Sequence, residues 1–132
     1  MDKRQEAVMT SNNWMSRAGL ALVAAVVLSA TMLAHTKLEK SVPADGATLT
    51  TAPTSVQLFF NEKPDLKVSK IEVTGPSGKV ELGPAHSMAE KDIMAAIKGT
   101  LGNGTYTVSW QTAGKDGHVR KGTFSFTVSK AQ

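Results

Sequence analysis

From residue 35 onward, apolar and polar residues alternate in short runs separated by turn-forming residues, and no stretch sustains a helical period. The alternation is cleanest over 105–111 and 122–128. Tyr106, Val108 and Trp110 fall on one side of the first run, and Phe124, Phe126 and Val128 on one side of the second. Similar runs predict strands over 37–41, 56–60, 70–74, 79–82 and 93–97. Pro43, Asp45-Gly46, Pro53, Pro64, Gly75-Pro76, Ser77-Gly78, Gly83-Pro84, Gly102-Asn103-Gly104 and Asp116-Gly117 punctuate them. Aromatic residues at strict strand spacing read as core rather than as ligand-stacking groups. Seven short strands in a chain of this size predict an all-β fold, an immunoglobulin-like Greek-key sandwich without a disulfide.

Ahead of residue 35 the pattern changes. Residues 18–34 form an uncharged apolar run preceded by Lys3, Arg4 and Arg17, the layout of a secretory signal. Ala34 is the small residue expected before a cleavage point, although Met32 departs from the small residue preferred two positions earlier. Residues 1–34 therefore read as a signal peptide and 35–132 as one domain, in which a single core is viable. At this length the run also admits an uncleaved membrane anchor. Either reading places the domain in an exported compartment, the periplasmic space or the outer face of the cytoplasmic membrane.

The formal charge of +4 falls when the leader is set aside, leaving twelve Lys and Arg against nine acids. These charges are scattered, and no basic cluster with interleaved aromatics supports a nucleic-acid partner. The chain has no cysteine, which excludes disulfides, zinc–thiolate sites and thiol catalysis. Stability must come from packing.

Candidate chemistry rests on three histidines, His35, His86 and His118. If the first strand ran parallel to the last, His35 would lie near the start of the last strand, where Asp116-Gly117-His118 stands. In extended backbone, Asp116 and His118 leave the same face with Cα atoms roughly 6.5 Å apart, and Gly117 adds no side chain between them. Cleavage before His35 would free an α-amine on the residue that carries an imidazole, and amine and Nδ1 can close a chelate ring. With His118 and Asp116, the set becomes three nitrogens and one oxygen, suited to a tetragonal Cu(II) ion. Taken singly, each feature has an ordinary explanation: Asp-Gly is a common hairpin signal, and a histidine beside it is usually a polar residue exposed to solvent. Lys115, Arg120 and Lys121 flank the group and read by default as solvated charge.

The chain from His35 to about Lys130 resembles the CopC family of periplasmic copper-resistance proteins, including its YobA-like members. The resemblance is carried by His35-Thr36-Lys37-Leu38, Ser41-Val42-Pro43-Ala44-Asp45-Gly46, Ala52-Pro53, Leu58-Phe59-Phe60-Asn61-Glu62, the segment Gly104 to Trp110, and Asp116-Gly117-His118 followed by Lys121 to Phe126. It implies a β-sandwich that binds one Cu(II) per chain through His35, Asp116 and His118, without catalysis. Glu62 falls where the family carries an acidic residue close to copper, and reads equally as a solvated turn residue. The resemblance also implies a membrane copper-transport protein as partner. The Met-rich Cu(I) loop of some members is reduced here to Met88 and Met94 with His86, too few thioethers for a second site. Met94 reads as core and His86 as surface. Two rival functions are a histidine-brace copper oxidative enzyme and a non-metal immunoglobulin-like interaction module. Against the first stand the small domain and Asp116 in a position that oxygen chemistry would want open.

Overall fold

A computed structural model describes residues 35–131. Period-two sequence becomes eight strands: β1 (Leu38–Val42), β2 (Thr48–Leu49), β3 (Ser55–Phe60), β4 (Lys70–Gly75), β5 (Gly78–Val80), β6 (Asp92–Ala96), β7 (Gly104–Ala113) and β8 (Val119–Val128). They form a three-stranded sheet ordered β1-β3-β6 and a five-stranded sheet ordered β2-β8-β7-β4-β5. The two sheets bury their inner faces against each other, as the alternation predicts.

Val56, Leu58 and Phe60 of β3 and Ile93 of β6 face Val73, Tyr106, Val108, Phe124, Phe126 and Val128 of the larger sheet, and all are essentially buried. The antiparallel register of β7 and β8 sets Tyr106 opposite Phe126 and Val108 opposite Phe124, so the expected core faces coincide. Tyr106 stacks on Phe126 with ring centroids 5.5 Å apart, and its hydroxyl donates to Gly102 O at 2.9 Å. Trp110 meets Phe60 edge-on across the sheets at 5.4 Å. Each fully buried side chain of this size contributes about 1.5–3 kcal/mol, which is how a chain without cross-links holds together.

Four departures from the sequence reading matter here. β2, two residues long, is too short to show a period, and it is fixed by backbone bonds to β8. The parallel partner of β8 is this strand, at Thr127 and Val128, and not the first strand. β1 instead pairs antiparallel with β3 in the other sheet, Leu38 opposite Phe60. The last strand also begins earlier than expected, at Val119, because Ala113 and Val119 already pair and the hairpin closes over residues 114–118. Met94 is half-buried at the outer strand of the small sheet rather than within the core.

Candidate metal centre

The connection between β7 and β8 carries the Asp-Gly-His group. Its backbone turns rather than extends: Gly117 N–H donates to Gly114 O at 3.1 Å, and Gly117 has a φ of 74°, which glycine adopts without a Cβ penalty. Asp116 and His118 therefore meet through a turn and not through strand alternation. Asp116 Oδ1 accepts the His118 N–H at 3.1 Å, and Oδ2 lies 3.1 Å from His118 Nδ1. These bonds from the His118 ring and amide, helped by the charges of His118 and Arg120, hold the Asp116 carboxyl below the ordinary carboxylate range. The His118 side chain is 77 % exposed and that of Asp116 27 %.

His35 reaches the same end by a different route. Because β1 runs antiparallel to β3, its beginning lies beside the end of β3, where Asn61 and Glu62 follow. Asn61 clamps the backbone there: its side chain accepts from Lys37 N–H at 2.8 Å and donates to His35 O at 3.0 Å, while its own N–H donates to Lys37 O at 3.0 Å. The buried Thr36 donates its hydroxyl to Glu62 Oε1 at 2.6 Å. Both groups lie over Gly114, where a Cβ would collide with them. Glu62 is thus a half-buried anchor for the residue next to His35, not a solvated turn residue.

Arg120 links the two halves. A guanidinium N–H of Arg120 donates to His35 Nδ1, and the same charge acts on Asp116. Its Nε is inaccessible and has no hydrogen-bond partner among the described residues. The sequence reading of Arg120 as solvated charge is corrected by this placement: β8 pairs it with Thr112 and turns it toward the amino-terminal segment. Lys115 and Lys121 are exposed, as expected.

The structure accordingly joins Asp116 to His118 directly and His35 to Arg120, two residues further along the chain. Among the described residues, no three His, Asp or Glu side chains are grouped closely enough to hold one ion. His86 is exposed and bridges Met94 on the outer strand of the small sheet, with Nδ1 3.2 Å from Pro84 O, and Met88 is 68 % exposed nearby. Two residues have structural roles here that the sequence reading does not give them. Asn61 stood inside the segment that carries the resemblance, and Arg120 was visible as a cation two residues after His118.

The described residues thus form a cysteine-free β-sandwich with imidazole and carboxylate groups at one end, the architecture of a small binding domain. Residues 38–129 match the model of the CopC domain, and the chain belongs to the CopC family. Copper resistance protein C of Xanthomonas campestris pv. juglandis is 36% identical over 115 residues, 81% of this chain and 90% of that protein. Protein YobA of Escherichia coli (strain K12) is 31% identical over 115 residues, 85% of this chain and 93% of that protein. The crystal structure of PcoC, a methionine-rich copper resistance protein from Escherichia coli, superposes with a TM-score of 0.66 at 30% identity, covering 73% of this chain and all of that one. The matched segment includes Asp116 and His118 and begins after His35.

Proposed function

We propose that this chain is an exported copper carrier or buffer in copper homeostasis or resistance. In this reading residues 1–34 are removed as a signal peptide, and the domain 35–132 begins at His35. The new amino terminus, with Asp116 and His118, holds one Cu(II) ion as cargo. The observation that carries the reading is that Asp116 bonds His118 and that Arg120, in the strand that follows, contacts His35 at the same end of the sandwich. Membership of a family whose relatives are named for copper resistance adds to it. The donor set fits: imidazole nitrogen and carboxylate oxygen suit Cu(II), and thiolate is absent from the chain. No catalysed step is required, and the partner is a membrane copper-transport protein to which the cargo passes.

Amino-terminal sequencing of the exported protein, followed by Cu(II) titration against a competing chelator and electron paramagnetic resonance, tests this. One tight, nitrogen-rich site on a chain beginning at His35 is the expected result. Weak or heterogeneous binding by that chain would overturn it.

A further inference from the structure

We propose that Arg120 is a built-in competitor for the copper-binding nitrogen of His35, resting on Nδ1 in the metal-free protein and displaced when copper binds. The inference rests on the reading of His35 as a ligand. Arginine carries donors and no acceptor, so in the contact between Arg120 and His35 the imidazole Nδ1 must supply its lone pair. That lone pair is the one a copper ion would need to close a ring with the α-amine of the same residue. It can take the guanidinium N–H or the metal, and not both.

The placement of Arg120 makes this a designed contact rather than a passing one. The side chain leaves β8 opposite Thr112 and is half-buried, with Nε shielded from solvent and without a partner among the described residues. Its outer N–H groups are therefore the part available for bonding, and one of them meets His35. On the other side of the contact, Asn61 and the Thr36–Glu62 bond fix the backbone that carries His35. Both partners are thus held by the fold.

Two effects then act in one direction. Copper must break a charge-assisted hydrogen bond to reach Nδ1, and afterwards a doubly charged ion shares the site with a fixed cation. The resulting affinity lies below what the same ligands would give alone. Return of the guanidinium to Nδ1 assists departure of the ion, a useful property in a protein whose cargo must be handed on.

The test compares the chain beginning at His35 with Arg120→Met and Arg120→Lys forms. Cu(II) affinity is measured by chelator competition, and the metal-free imidazole nitrogens are followed by nitrogen-15 magnetic resonance. Arg120→Met is expected to bind Cu(II) about tenfold more tightly, with Arg120→Lys between it and the parent. In the metal-free protein, Arg120→Met should move the His35 Nδ1 resonance and leave that of His86 unchanged, a response that a general loss of packing would not give. Arg120→Gln serves in its place if the methionine form does not fold. A tight, His35-dependent parent whose affinity is unchanged or weakened in the folded Met or Gln form overturns the competition alone. If His35→Ala binds copper as tightly as the parent, the ligand assignment falls, and the competition falls with it.

Discussion

The hydroxyl of Thr36 donates to Glu62 Oε1 across a 2.6 Å hydrogen bond, and the two groups together fill the space above Gly114. Three distant parts of the chain meet at this point: the residue after His35, the residue two beyond β3, and the first residue of the loop that carries Asp116 and His118. A methyl group on residue 114 would enter the space of both oxygens, so Gly114→Ala must displace them and break the Thr36–Glu62 bond. A loss of about 1–3 kcal/mol in urea denaturation is expected, together with weaker Cu(II) binding. An unchanged midpoint and affinity would mean that Glu62 swings aside at no cost. Glu62→Gln, which keeps an acceptor for Thr36, is expected to be much milder than Glu62→Ala.

A second close approach fixes the hairpin itself. Gly122 pairs with Trp110, and a Cβ at residue 122 would lie 2.6 Å from Cε2 of the indole. Gly122→Ala should therefore turn Trp110 off its edge-on contact with Phe60, lowering stability by about 1–3 kcal/mol. Trp110 is the one tryptophan between residue 35 and the end of the chain, so its fluorescence reports the change directly. A parent-like emission spectrum and melting temperature would contradict the packing described.

The acid sensitivity of the domain should be traceable to Asp92. Its side chain is fully buried and accepts from Ala89 N–H at 2.7 Å, Gln57 Nε2 at 2.7 Å, Ser87 Oγ at 2.8 Å and Met88 N–H at 3.1 Å. Burial pushes the carboxyl up, but these donors together outweigh it and hold it below the ordinary range. A lowered folded value means that the stabilisation is present above the unfolded pKa, about 3.9, and is lost as pH falls through the folded value. Asp92→Asn should cost about 2 kcal/mol at neutral pH and flatten the decline of stability below about pH 4. Denaturation profiles from pH 7 to pH 2 check both; parallel curves for the two proteins would rule Asp92 out.

How far the sequence reveals this architecture depends on the length over which a pattern is sustained. β7 and β8, ten residues each, show their core faces as plain alternation. β2 has two residues, and its pairing comes from bonds between residues 46–49 and the end of β8 that no local pattern announces. The Asp116–His118 pairing follows from spacing, yet a turn with Gly117 at positive φ produces it, not the extended backbone that spacing suggests. The parallel pairing that the sequence suggests for His35 belongs to β2; the antiparallel β1–β3 register and Asn61 are what place it beside the hairpin. Asp92 and Arg120 were illegible for a shared reason. Whether a charged residue is solvated or enclosed depends on partners far away in sequence, Gln57 in one case and His35 in the other.

The three histidines offer a direct comparison of roles. His118→Ala should weaken Cu(II) binding at least tenfold, since one imidazole donor is lost, and His35→Ala should weaken it similarly. His86→Ala should leave affinity and spectrum unchanged, because His86 sits on the small sheet with its ring directed to Pro84 O. Equal losses for His86 and His118 in chelator competition would point to diffuse surface binding instead.

β8 starts at the histidine-bearing pole and runs ten residues to Val128, about 30 Å at the rise of an extended strand. Lys130 N–H then donates to Asn103 Oδ1 at the opposite pole, so the tail leaves the domain at the end away from His35. A fluorophore, a surface linkage or a second domain joined after Lys130 would hang from that far pole. Immobilised by its tail, the domain would present His35 and His118 outward to solution.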